Sequence, residues 1–285
     1  MKLYIIGVGL IGGSFVLDLK NFGDYQVIGI DNDNENLKIA IKRGIIDKVG
    51  SLNNINEADI IILSTPVDIS LKIILNLLDS INKRCLIFDV GSTKQTICDL
   101  VENHPKRNQF LATHPIAGTE FSGSKSSVLG LFKNKIQILC EVNKTRKDLL
   151  NLALEKFSLL GMIIREMTPS EHDNHMAYVS HLSHISSFML GKTVLDFETA
   201  NNILDLAGSG FESTVRLAKS SSEMWTPILL QNKKNIIKTL NIYISNLENF
   251  KNYLNNNNKK NISEEIKFTN QLTNILNGIV KNKNK

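Results

Sequence analysis

The apolar run Leu3-Tyr4-Ile5-Ile6 leads without a break into Gly7-Val8-Gly9-Leu10-Ile11-Gly12-Gly13-Ser14. A buried-type strand, a G-x-G-x-x-G turn and an apolar helix in that order constrain the fold more than any other stretch. The glycines permit a tight turn, close approach of backbone to a pyrophosphate, and packing of helix on strand, while the helix N-terminus favours negative charge. A second strand, Gln26-Val-Ile-Gly-Ile30, ends in Asp31, where folds of this type hold an adenosine ribose. A carboxylate there accepts hydrogen bonds from ribose hydroxyls and repels a 2'-phosphate, so NAD is expected in preference to NADP. The candidate cofactor residues are Gly7, Gly9, Leu10, Ile11, Gly12, Asp31 and Thr65.

Further strands are predicted at 59–64, 84–90 and 110–113. They are continuous apolar runs of the kind buried in parallel sheets, whose C-terminal ends carry ligands. The first is followed by Thr65, the second by Gly91-Ser92-Thr93-Lys94 and the third by His114. His114 precedes Pro115, which favours extended backbone, and Gly118 and Gly123 permit the turns beyond it. Taken alone, His114 is equally a structural group before a turn, Ser92 a helix N-cap, and Lys94 a solvated lysine. A strand at 136–140, a helix near 147–160 and a strand at 162–166 extend the alternation to a parallel-rich sheet with helices on both faces.

After Thr168 no strand pattern returns. Thr168-Pro-Ser-Glu171 fits a capping box, so a helix is expected to start there. It carries His172, His175, His181 and His184. At about 100° per residue His181 falls opposite His172, and no H-E-x-x-H motif or i,i+4 histidine pair is present, so no metal is expected. His172 and His184 suit an anion pocket instead. Ala207-Gly-Ser-Gly210 breaks the helices, and the next one presents Arg216, whose guanidinium can grip a carboxylate. Trp225 suits a core or an interface equally. A long amphipathic helix is predicted after Pro227, with an apolar stripe that suggests a homodimer, and 255–261 is expected to be a loop. The expectation is therefore an α/β Rossmann-type N-terminal domain, residues 1–167, followed by an all-α C-terminal dimerisation domain, residues 168–285.

The formal charge of +5 lies partly in the terminal Lys281-Asn-Lys-Asn-Lys285, which reads as a solvated tail, and no nucleic-acid partner is inferred. Cys85, Cys98 and Cys140 are odd in number and lack metal-ligand spacing, which points to reduced thiols and a cytoplasmic location. There is no signal-type or membrane-length apolar run.

With His114-Pro-Ile-Ala-Gly-Thr-Glu120, Asp89-Val-Gly-Ser-Thr-Lys94, His172-Asp173, Ser180-His-Leu-Ser-His184 and Arg216 in order, the chain resembles the prephenate and arogenate dehydrogenases of tyrosine biosynthesis. The resemblance implies oxidative decarboxylation of prephenate with NAD(P) as hydride acceptor. It implies that His114 accepts a hydrogen bond from the ring hydroxyl of a small dianionic substrate, with Ser92 orienting that hydroxyl. It further implies that Arg216 and His184 bind carboxyl or keto groups, that His172 lines the site, that Glu120 shapes its entrance, and that Trp225 matches a tryptophan a neighbouring subunit can contribute. Two departures stand out: Glu212 lies where relatives often carry arginine, and Ser183 replaces a common proline. The length leaves no room for a regulatory or chorismate mutase domain. Arogenate dehydrogenase is the alternative enzyme, and fold alone would also suit a non-catalytic dinucleotide sensor.

Overall fold

A computed structural model of the protein describes residues 1–119, 121–196 and 208–274. Glu120, Ala207 and the terminal 281–285 run fall outside the described residues. Two compact units are formed, Met1–Lys233 and Lys234–Lys285, and every site residue considered below belongs to the first.

The first unit is built on an eight-stranded sheet of order β3-β2-β1-β4-β5-β6-β7-β8. Its strands are β1 (Lys2–Ile6), β2 (Gln26–Ile30), β3 (Lys48–Val49), β4 (Ile60–Leu63), β5 (Leu86–Asp89), β6 (Phe110–Pro115), β7 (Ile136–Cys140) and β8 (Ile163–Met167). β1 lies between β2 and β4, both parallel to it, so the chain reverses its direction of sheet growth there. Such a switch point opens a crevice at the strand C-termini. Side chains alternate across the sheet, and both faces are apolar. Leu3 and Ile5 join Phe15, Phe88, Phe132 and Phe157 on one side, while Tyr4 and Ile6 join Ile61, Leu63, Ile74 and Ile87 on the other. Phe15 packs against Phe132 with the rings tilted by 34° and their centroids 4.1 Å apart. Each such buried side chain contributes about 1.5–3 kcal/mol.

The sheet departs from parallel order at β7, which runs antiparallel to β6, with β8 parallel to β7. A parallel neighbour needs a crossover connection, usually a helix, and the described residues between Pro115 and Ile136 form only a short 3-10 turn, Ser124–Ser126. The flanking helices are α1 (Leu10–Lys20), α2 (Asn34–Lys42), α3 (Val67–Ser80), α4 (Gln95–Val101) and α5 (Lys147–Leu159).

After Met167 every described element is helical: α6 (Pro169–Met176), α7 (Leu182–Leu195), α8 (Ser209–Val215), α9 (Ser222–Gln231), α10 (Lys233–Asn255) and α11 (Lys259–Thr269). The capping box at α6 is complete, with Glu171 N donating to Thr168 Oγ1 at 3.2 Å and Thr168 N to Glu171 Oε2 at 2.9 Å. Two boundaries differ from expectation. Pro227 lies inside α9, because Ser221 accepts from Met224 N and so starts the helix upstream of the proline, which forfeits one intrahelical bond in mid-helix. The polar break after Asn255 shrinks to 256–258, because Asn258 caps α11 by accepting from Asn261 N. Within the second unit, α10 leaves Ile242, Ile244, Leu247 and Leu254 exposed. Among the described residues no helix is long and apolar enough to cross a membrane.

Candidate active site

The glycine turn has the three-part form that a dinucleotide requires. Gly7 has φ +87°, and a Cβ there would lie 2.4 Å from the Ser64 carbonyl oxygen, so the turn hugs the end of β4. A Cβ on Gly12 would come within 2.7 Å of Ile5 Cδ1, so only glycine lets α1 approach β1 this closely. Gly9 is the opposite case. Nothing lies within 4 Å of its Cβ position, and α1 starts from Gly9 with neither a side-chain cap nor an acidic residue in its first turn. Free N–H groups thus face open space, which suits a pyrophosphate. Asp31 is tied to this turn: its Oδ2 accepts from Val8 N at 2.8 Å and Asn36 Nδ2 at 2.9 Å, and its Oδ1 accepts from Asp33 N at 3.0 Å. Leu10 is buried under the turn, Ile11 reaches 3.7 Å from the Cβ position of Gly118, and the Thr65 hydroxyl pairs with Ser70 at the end of β4. These residues fit the group the fingerprint implies.

On the neighbouring edge β6 delivers His114 as β5 delivers Ser92. His114 Nδ1 lies 2.8 Å from His172 Nε2, and His172 Nδ1 lies 2.8 Å from Asp173 Oδ1. The direction of these bonds follows from their end. A carboxylate only accepts, so the His172 proton sits on Nδ1, its Nε2 must accept, and His114 Nδ1 donates. His114 is left with a lone pair on Nε2. Burial pushes the His114 imidazole well below its ordinary value, and positive charge on His172, Lys94 and His181 would act in the same direction. Burial lowers His172 as well, opposed by Asp173. Burial alone would raise the Asp173 carboxyl, yet bonds from His172 and from the backbone N–H groups of Lys94 and Gln95 hold it below the ordinary carboxylate range. The pair at this edge is a neutral base with a fixed tautomer.

Lys94 is the clearest correction to the sequence reading. Expected in solvent, it is wholly buried, paired with Asp89 and donating from Nζ to the Thr113 carbonyl at 2.8 Å. A lysine after a strand gives no local sign of this, although an aspartate five residues earlier at the end of β5 was a usable signal. Asp173, next to His172 in sequence, was likewise legible as its orienting partner.

The helical side adds aromatic and cationic groups. His184 stacks on Trp225 of the same chain, with ring centroids 3.5 Å apart, and Val67, Phe188 and Ile228 pack around the indole. His184 Nδ1 donates to the Ser180 carbonyl at 3.0 Å, and burial, with Arg216 adding to it, pushes this imidazole down. Arg216 opens an exposed 3-10 turn, Arg216–Lys219, and Glu212 lies exposed in the first turn of α8.

His181 also departs from expectation. A uniform helix sets it opposite His172, but Ala177–His181 is a π turn that breaks the 3.6-residue phase. Asn232 Nδ2 donates both to the Asp173 carbonyl at 2.7 Å and to His181 Nδ1 at 3.0 Å, so both histidines face one buried region. Burial lowers His181 to about 4, leaving it neutral with its proton on Nε2. Among the described residues, His181 Nε2, Trp225 Nε1 and Gln231 Nε2 are buried without partners, a set of N–H donors that a substrate rich in acceptors would satisfy. No three His, Cys, Asp or Glu side chains among the described residues are arranged to hold a metal.

The chain as a whole is similar to known proteins. Residues 15–165 match the family model described as prephenate dehydrogenase, nucleotide-binding domain, and residues 168–268 match prephenate dehydrogenase, dimerization domain. The chain is 34% identical over 261 residues to the prephenate dehydrogenase of Bacillus subtilis, covering 88% of this chain and 70% of that one. The crystal structure of Aquifex aeolicus prephenate dehydrogenase with hydroxyphenyl propionate and NAD+ superposes with a TM-score of 0.89 at 30% identity, covering 97% and 98% of the two chains. Synechocystis arogenate dehydrogenase superposes with a TM-score of 0.78 at 26% identity, covering 97% and 100%.

Proposed function

Because the chain belongs to the prephenate dehydrogenase family, we infer that it catalyses the NAD-dependent oxidative decarboxylation of prephenate to 4-hydroxyphenylpyruvate, in tyrosine biosynthesis. The observation that carries the inference is the chain Asp173–His172–His114, which leaves a neutral imidazole nitrogen at the end of β6, beside strand ends and a glycine turn suited to a dinucleotide.

NAD bound at Gly7–Gly12 and Asp31 would supply the hydride acceptor. His114 Nε2 accepts the proton of the ring hydroxyl as the hydride leaves the carbon that bears it. The ring carboxylate then departs as carbon dioxide, its bonding pair completes the aromatic ring, and the ring oxygen takes its proton back from His114 to give the phenol. Ser92 orients the hydroxyl from the next strand end, and His172 fixes the tautomer of His114. Arg216, His184 and the donor of Trp225 face the negative charge of the substrate. His184, with Nδ1–H committed to Ser180, donates to an anion only as imidazolium, which an arriving carboxylate favours.

Asp31 favours NAD over NADP, since its carboxylate, already bonded to the turn, would meet a 2'-phosphate with like charge. A homodimer through the C-terminal helices accounts for the exposed apolar stripe of α10. We assign residues 1–167 to cofactor binding and 168–285 to substrate binding and dimerisation.

Glu212 favours a second reading, arogenate dehydrogenase, because a carboxylate four residues before Arg216 suits the amino group that arogenate carries in place of the keto group. Steady-state NADH formation with each substrate decides between them. Faster turnover per unit concentration with prephenate is expected; a clear preference for arogenate transfers the assignment, and no NADH with either would leave a dinucleotide-binding protein without this chemistry.

A further inference from the structure

Lys94 and Asp89 form an ion pair in which the two side chains are 0% and 2% exposed. A buried pair of this kind contributes little net stability compared with apolar residues of the same size, so stability alone explains its presence poorly. Its surroundings explain it better. Lys94 Nζ donates to the carbonyl of Thr113, the residue before His114, and Asp89 Oδ1 accepts from Thr113 N at 3.0 Å, so the pair grips both sides of the residue that aims the histidine. The backbone N–H of the same lysine donates to Asp173 Oδ1 at 2.8 Å, and that oxygen also accepts from His172 Nδ1.

We propose that Lys94 is a positioning residue for the reaction: its ammonium holds the backbone that carries His114, and its backbone N–H holds the carboxylate that orients His172 onto the His114 ring. Two arms from one residue thereby meet on one imidazole, from the strand side and from the helix side. The ammonium also places a buried positive charge close to His114, which disfavours a second proton on that ring and keeps it ready to accept one from substrate. The groups around His114 are His172 and Asp173 from α6, His181 from the π turn, Asp89 from β5 and Lys94 itself; removing the lysine leaves Asp89 unopposed, so both changes favour the imidazolium.

The inference rests on His114 being the proton acceptor, which wild-type turnover and His114→Asn test separately. For Lys94→Met in the full-length enzyme, kcat is expected to fall about 10- to 100-fold while the KM values for prephenate and NAD change by less than about threefold. The acidic limb of the kcat/KM profile should move to higher pH by about one unit, because an imidazole that protonates more readily must be deprotonated at higher pH. A purely structural role would lower the amount of active enzyme and leave that limb where it was. If Lys94→Met fails to fold, Asp89→Asn/Lys94→Met removes both charges together, a change that buried pairs tolerate well. The limb should still move upward, since the positive charge that acts on the ring has gone. A wild-type kcat and an unmoved limb in whichever variant folds, with His114→Asn inactive, would overturn the role of Lys94 and leave the functional assignment standing.

Discussion

Asp173→Asn isolates the orienting chain from the substrate. Asp173 accepts three hydrogen bonds, from His172 Nδ1 at 2.8 Å, Lys94 N at 2.8 Å and Gln95 N at 3.0 Å, and its side chain is 4% exposed. An asparagine has one acceptor oxygen for these three donors and turns its own NH2 toward one of them. Losing a charged acceptor and leaving a buried donor unpaired costs about 2–3 kcal/mol of stability, which urea titration reads directly. The catalytic effect comes through protons. Without the carboxylate the His172 proton is free to sit on Nε2, where it donates to His114 Nδ1; the proton of His114 then moves to Nε2, the nitrogen needed as acceptor. Turnover should drop about 100-fold, equivalent to about 2.7 kcal/mol of barrier, with KM for prephenate and NAD nearly unchanged because Asp173 reaches neither. The stability difference has its own pH signature. The folded-state value of Asp173 lies below its ordinary 3.8, so its contribution is complete above that pH and is lost as pH falls through the folded value. The gap between wild type and variant should be full at neutral pH and close below about pH 4. A variant with wild-type kcat, or a loss of activity carried by KM, would refute the tautomer account.

Other expectations are shorter. His114→Asn should lower turnover by about two to four orders of magnitude with little effect on NAD affinity, measured by fluorescence titration; equal turnover would remove His114 from the chemistry. Arg216→Ala should raise the KM for prephenate before it alters NAD binding, and an unchanged KM would take Arg216 out of the pocket. Gly9→Ala meets no atom within 4 Å in the protein itself, so thermal stability should hold while NAD affinity falls about tenfold or more; unchanged affinity would mean that the phosphates do not rest on this turn.

The local features of this protein were legible in its residues. The glycine turn, the acidic end of β2, the capping box at Thr168 and the placement of His114 at a strand end all follow from patterns within a few neighbours. The features that did not follow share one property. Lys94 is buried by contacts with Asp89, with Thr113, 19 residues away, and through its N–H with Asp173, 79 residues away. His181 joins the His172 side because a π turn, Ala177–His181, resets the helix phase in a stretch that has no proline or glycine to announce it. β7 turns antiparallel because the described residues before it form no crossover helix.

Sequence alone thus determined which residue types stand where strands end, because strand and helix periods are set by neighbours in the chain. Only the tertiary structure decided the proton arrangement of the site. The tautomer of His114 is set by Asp173 through His172, a partnership between β6 and α6 across 58 residues, and hydrogen-bond direction in a buried chain is decided by whichever partner can only accept.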